Sequence, residues 1–157
     1  MKTLIIYASK YGAAQEIANR IATKMDDATT HNLKQDSTIT DLAEYDCVII
    51  GSSIYAGMVH REIKNFLIKN QDILLDKKVG LFASGMDPSK ASEYFKDSIP
   101  KPILEHATAT SFLGGIFDPT KANFAERLVV KTIAGYKEYT NTVDEEAITQ
   151  FVKTLQA

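Results

Sequence analysis

Three short polar stretches, each directly after an apolar run, contain the residues of this sequence best suited to hold or transform a ligand. The first is Ser9, Lys10, Tyr11, Gly12, Ala13 and Ala14. It joins the apolar run Thr3–Ala8 to a segment in which Ile17, Ile21 and Met25 recur every four residues, so it reads as the turn between a buried strand and an amphipathic helix. A tight turn at a helix N-terminus leaves backbone N–H groups without intrahelical partners, and the positive end of the helix dipole adds to their pull on an anion. Gly12 permits a positive φ or a close approach of ligand to backbone, and Ser9 adds a hydroxyl donor. This is the chemistry of a phosphate cradle. An ordinary βα turn that binds nothing carries the same signature.

The second stretch is Ser52, Ser53, Ile54, Tyr55, Ala56 and Gly57, followed by His60 at the expected start of a helix. Tyr55 offers a flat wall, and Gly57 a peptide that can reorient without a Cβ penalty. His60 is a candidate proton donor or hydrogen-bond donor; an exposed histidine at a helix start is the plainer alternative. The third stretch is Ser84, Gly85, Met86 and Asp87, ahead of Pro88. Its backbone can donate to the edge of a ring that Gly85 lets approach, and Asp87 either tunes a bound redox group or caps the helix after Pro88. A flavin mononucleotide needs a phosphate site, walls for a flat tricyclic ring, and backbone groups facing the ring edge. The three stretches offer candidates for each.

The elements that must position these stretches alternate between strand and helix. Buried strands are expected at 3–8, 46–51 and 78–83, a polar edge strand at 28–33 and a fifth strand at 107–113 closed by Gly114 and Gly115. Between them, 36–45 reads as a connection with one helical turn. Residues 60–70 read as a helix with Ile63, Phe66 and Leu67 on one face, and Tyr94 and Phe95 mark a short helix ending at Pro100. Such alternation predicts an α/β three-layer sandwich with a five-stranded parallel sheet in the order 2-1-3-4-5. Ligands of such sheets bind beyond the carboxyl ends of the strands, where the winding direction reverses, and the three polar stretches follow strands one, three and four. An extra helix is expected at 124–134, and a last helix behind a Thr142-x-x-Glu145 capping box. Nothing in the 157 residues marks a linker or repeat, so 1–157 reads as a single domain.

Composition narrows the function classes. A net charge of −2 gives no basic field for nucleic acid, and no apolar run approaches a membrane span. The apolar segment at the N-terminus is too short for a secretory signal and fits the first strand. Cys47 is the one cysteine, which excludes an internal disulfide and agrees with a reducing cytoplasm. No His, Cys and carboxylate spacing resembles a metal site.

These residues together resemble the flavodoxin fold, and within it the flavodoxin-like, menaquinone-dependent protoporphyrinogen oxidases. The likeness rests on MKTLII at the start, the 9–14 loop, IIGSSIYAGMVHREIKNFL at 49–67, FAERLVVKTIAG at 124–135 and the last helix. It implies an FMN cofactor with its phosphate on 9–14 and its ring against the Tyr55 loop, with Gly57 and His60 in a matching G-x-x-H stretch. Flavodoxin phosphate loops usually carry hydroxyls at the positions of Ser9, Tyr11 and Ala14. Here Ala14 has none and Tyr11 only a remote phenol, so backbone donors must carry more of the site. The loop after Ala83 is also shorter than in the oxidases and closer to that of electron-transferring flavodoxins.

Three functions remain open on the sequence. One is an FMN-dependent oxidoreductase passing electrons from a small substrate to a quinone, cytoplasmic and at most peripheral to the membrane's inner face. Another is a flavodoxin-type carrier between redox proteins. The third is a binding module that has kept the fold and lost FMN. Dinucleotide and P-loop readings fail for want of their glycine motifs, and a phosphoacceptor receiver domain for want of an Asp at the end of the third strand.

Overall fold

The computed structural model describes residues 1–121 and 138–157. Five strands form the parallel sheet: β1 (Thr3–Ala8), β2 (Ala28–Asn32), β3 (Cys47–Tyr55), β5 (Lys78–Ser84) and β6 (Ala109–Phe112), in the order β2-β1-β3-β5-β6. A short β4 (Met58–Val59) folds back antiparallel on the end of β3. This is the flavodoxin-like architecture and strand order expected, with the hairpin strand as an addition. The winding reverses between β1 and β3, so the carboxyl edge there is the switch point.

Both faces of the central strands are buried, and the period-two alternation of side chains sorts them into two cores. On one face, Leu4, Ile6 and Ala8 of β1 join Val48, Ile50, Val79 and Leu81 under α2 (Arg61–Lys69), α3 (Gln71–Leu75), α4 (Ala91–Ser98) and α5 (Lys101–His106). On the other, Ile5, Tyr7, Ile49 and Phe82 pack on α1 (Ala13–Thr23) and α6 (Glu145–Gln156). α1 contributes Ile17, Ala18 and Ile21 and α6 contributes Ile148, Phe151, Val152 and Leu155, each set a helical stripe. Gly51 and Gly80 make room in this second core. A Cβ on Gly51 would lie 2.0 Å from Cζ of Phe82, and one on Gly80 would lie 2.9 Å from a Leu155 methyl. Cys47 is buried in the same layer, where desolvation pushes its thiol up to about 11. It behaves as a small hydrophobe.

Several local expectations are corrected. β3 runs four residues past Gly51 because 52–55 keep pairing, with β5 as far as Ser53 against Ser84 and then with β4. Residues 52–59 are therefore mostly hairpin and not loop. Residues 101–106 form α5, which was not anticipated; Pro100 at its N-cap and Pro102 in its first turn fit a helix start rather than an end. The capping box at Thr142 does not form. Asp144 is the N-cap of α6, its carboxylate accepting from the Ala147 N–H at 3.0 Å, while the Thr142 hydroxyl accepts from the Gly115 N–H at 3.1 Å. A two-stranded ribbon of β7 (Ile116–Phe117) and β8 (Thr140–Asn141) was also missed. The helix expected at 124–134 lies outside the described residues.

Candidate functional site

The 9–14 loop closes tightly on itself. Gly12 is the N-cap of α1 with φ 98 and ψ −3, a left-handed conformation that disfavours any residue with a Cβ. Ser9 Oγ accepts from the Gly12 N–H at 2.9 Å, which fixes the turn and leaves the serine O–H able to donate outward. The first N–H to bond back along the helix is that of Glu16, to the Gly12 carbonyl at 2.9 Å. The N–H groups of Ala13, Ala14 and Gln15 thus lack intrahelical partners, as at every helix start. Among the described residues, a Cβ built on Gly12 would meet nothing within 4 Å. Ala13 and Ala14 are buried, and their small side chains let α1 sit close against the sheet.

The second stretch is held by a web around His60. Ser52 Oγ donates to the Ser53 carbonyl at 2.8 Å and accepts from the His60 N–H at 3.0 Å. Ser53 Oγ and His60 Nε2 are 2.8 Å apart. The imidazole also stacks on Tyr55, centroids 6.2 Å apart and planes within 12°. The turn of the hairpin is Ala56 and Gly57, both with positive φ of 51 and 78, the twist a two-residue hairpin needs. Ala56 in that conformation is strained by about 1–3 kcal/mol. Ile54 turns inward against the first core, whereas Tyr55 and Met58 at the tip are 44% and 50% exposed. Lys10 reaches over from the first loop, its ammonium 4.2 Å from the Tyr55 ring centroid and 5.1 Å from that of Tyr11. The two loops are thereby joined.

His60 is buried, not surface-exposed as a helix-start histidine often is. Burial holds its pKa below the usual histidine value, helped by the ammonium groups of Lys34 and Lys10 and opposed by the Glu62 carboxylate. The imidazole is neutral at neutral pH.

In the third stretch Ser84 ends β5 beside Ser53. Its Oγ is the buried side-chain polar atom without a hydrogen-bond partner among the described residues. Such atoms are rare in folded proteins. The Gly85 N–H donates to the Gly114 carbonyl at 3.1 Å, so it is not aimed at a ligand. Asp87 Oδ1 accepts from the Ser89 N–H and hydroxyl at 3.2 and 2.5 Å, capping a turn of 3-10 helix at 88–90.

Sequence reasoning missed the wall behind this loop. A Cβ on Gly115 would strike the Gly85 carbonyl at 2.5 Å, and Gly114 has φ 83 with the Thr142 carbonyl pressed against it. Phe112 stacks on Tyr94 at 6.4 Å and lies against Gly85. The Gly114-Gly115 pair after a strand was the available signal, since it marks close backbone approach. The structure brings Ser9, Lys10, Tyr11, Gly12, Ser53, Tyr55, His60 and Ser84 to one carboxyl edge.

The arrangement can hold an anion on 9–14 and a flat group near Tyr55. A family model described as a flavodoxin domain matches residues 4–144. The chain belongs to the flavodoxin domain family. No curated protein is significantly similar in sequence. Among solved structures, flavodoxin 1 of Bacillus cereus matches this flavodoxin domain with a TM-score of 0.59 and 17% identity, over 99% of this chain and 97% of that one. A Lactobacillus acidophilus flavoprotein, described in complex with FMN, matches at 0.50 and 20%, over 72% and 90%. Rubredoxin oxygen:oxidoreductase of Desulfovibrio gigas matches at 0.55 and 12%; 99% of this chain corresponds to 37% of that longer one. At these identities the likeness is one of fold. Among the described residues no helix is long and apolar enough to cross a membrane.

Proposed function

We propose that this flavodoxin domain binds FMN and exchanges electrons through it. The observation that carries the reading is Ser84 Oγ, buried and without a partner among the described residues, at the carboxyl end of β5 beside Ser53 of the Tyr55 strand. A flavin ring edge carries the donors and acceptors such a hydroxyl lacks. The space over Gly12 and Gly57 fits the same group, since among the described residues neither position has an atom within 4 Å of a built Cβ. The 9–14 backbone with the Ser9 hydroxyl would hold the phosphate, and Tyr55 would flank the ring.

FMN, when bound, supplies one- and two-electron redox chemistry. The chain's own residues orient and shield. Ser53 holds the His60 ring by its Nε2, and His60 in turn backs Tyr55. Asp87 is fixed in position within the third stretch by the hydrogen bonds its Oδ1 accepts from Ser89. The expectation of FMN over FAD follows from the single phosphate-type loop at 9–14. Purified protein that is yellow and releases FMN on denaturation supports the reading; colourless protein that takes up no FMN leaves a binding module.

A finer version is an oxidoreductase resembling the menaquinone-dependent protoporphyrinogen oxidases, with a quinone as acceptor. The likeness to those oxidases at 49–67 supports it, with His60 held behind Tyr55 and its Nε2 engaged by Ser53 Oγ, where it would position that wall against a small substrate. In that version His60→Asn lowers menaquinone-dependent turnover while FMN content is kept. Equal turnover in the variant would return the protein to the role of an electron carrier.

A further inference from the structure

We infer that the hairpin tip at Tyr55 and Met58 is a docking site for a small acidic electron-transfer protein. The inference rests on the redox reading above and names the partner's chemistry. A continuous strip crosses the carboxyl edge: Tyr11, Lys10, Tyr55, Met58 and Lys64. Lys10 lies over both tyrosine rings, Tyr55 pairs with Met58 across the hairpin, and Lys64 Nζ is 3.7 Å from Met58 Sδ. The apolar members are exposed, at 36% for Tyr11, 44% for Tyr55 and 50% for Met58.

Cations surround the strip. Lys34, at the carboxyl end of the edge strand, acts electrostatically on His60, and Arg61 follows His60 directly. Among the described residues none of Lys34, Arg61 and Lys64 forms an ion pair with a carboxylate, although Glu62 also faces His60. Around the strip these cations outnumber the Glu62 carboxylate, whereas the whole chain carries a net charge of −2. A positive rim around a small aromatic and methionine centre complements a partner with carboxylates around its redox centre, and steers it there. An anionic bilayer is the less suited occupant, because membrane-surface binding draws on a broad apolar face and the hairpin tip offers only Tyr55 and Met58.

The test uses the full chain reconstituted with FMN, and Lys34→Glu and Lys64→Glu variants whose FMN content is measured first. Reduced plant-type ferredoxin, an acidic carrier, is mixed with the oxidised protein; one electron leaves the iron–sulfur cluster and one arrives on the flavin. The rate should fall roughly tenfold or more from low to physiological salt, and several-fold in each variant at low salt. Reduction of cytochrome c, a basic carrier, by the reduced protein should instead speed up in both variants. A ferredoxin rate indifferent to salt and to both charge reversals overturns the inference while leaving FMN binding intact. Sedimentation with phosphatidylglycerol vesicles that both variants abolish, without a change in ferredoxin rate, assigns the edge to a membrane and overturns it too. Failure of the wild type to take up FMN overturns the redox reading, and this inference with it.

Discussion

Nε2 of His60 and Oγ of Ser53 are 2.8 Å apart, and the ring they position stacks against Tyr55 at the exposed tip of the β3–β4 hairpin. The pair makes a buried, uncharged hinge under the wall of the site. Its neutrality has a consequence for stability. The unfolded chain takes up a proton at the ordinary histidine value of 6.5, whereas the folded chain does so only at lower pH. Between those values protons favour the unfolded state, so the stabilisation is complete above pH 6.5 and is lost as pH falls through the depressed folded value. Calorimetric melting from about pH 7.5 to about pH 5 should show a steeper fall for the wild type than for His60→Asn. Parallel profiles would locate the acid sensitivity elsewhere.

Gly12→Val should weaken FMN binding far more than Lys10→Ala. The valine is forced into a left-handed conformation at φ 98, which costs a β-branched residue on the order of 1–3 kcal/mol and reshapes the loop that holds the phosphate. Lys10 lies over tyrosine rings, so its loss should change affinity by less than about 1 kcal/mol. Titration calorimetry with FMN on both variants decides between a backbone cradle and one held by charge.

Tyr55→Ala removes the wall and the stacking partner of His60 together. Aromatic stacking contributes about 0.5–1.5 kcal/mol beyond area, so FMN should loosen by up to about tenfold, with a shift of the flavin absorption bands. Tyr94 is stacked on Phe112 and only 9% exposed. Tyr94→Phe should therefore leave the bands in place. A reversed pattern would move the wall to the β6 side.

How far the sequence disclosed this molecule depends on whether a feature is local. Thr3–Ala8 and the Ile17, Ile21 stripe encode their burial in periodicity, and both cores follow that pattern. Gly12 was legible because a positive φ at that turn calls for glycine. The β3–β4 hairpin was hidden because Ala56 stands where Asn or Gly usually marks such a turn. Thr142 misled for another reason: its spacing to Glu145 matches a capping box, but its hydroxyl is drawn across the chain to Gly115. The isolated Ser84 hydroxyl and the pressing of Gly115 on Gly85 are long-range facts that no window of sequence contains.

Gly51→Ala should destabilise the fold through one contact. Gly51 and Phe82 are register partners across β3 and β5, and the Phe82 ring occupies the space where a side chain on Gly51 would begin. A Cβ there would lie 2.0 Å from the ring, which cannot swing away freely because Phe151 packs edge-on against it at 6.4 Å. Overpacking of this kind costs about 1–3 kcal/mol, or a fall in Tm of roughly 2–10 °C for a domain of this size. Phe82→Leu alone loses ring volume and should also destabilise. In the double variant the alanine methyl enters the space the ring has left, so its cost should be smaller than the sum of the single ones. Denaturant melts of the four proteins measure the coupling. Strict additivity would mean that the strands separate to admit the methyl and the ring is not what limits position 51.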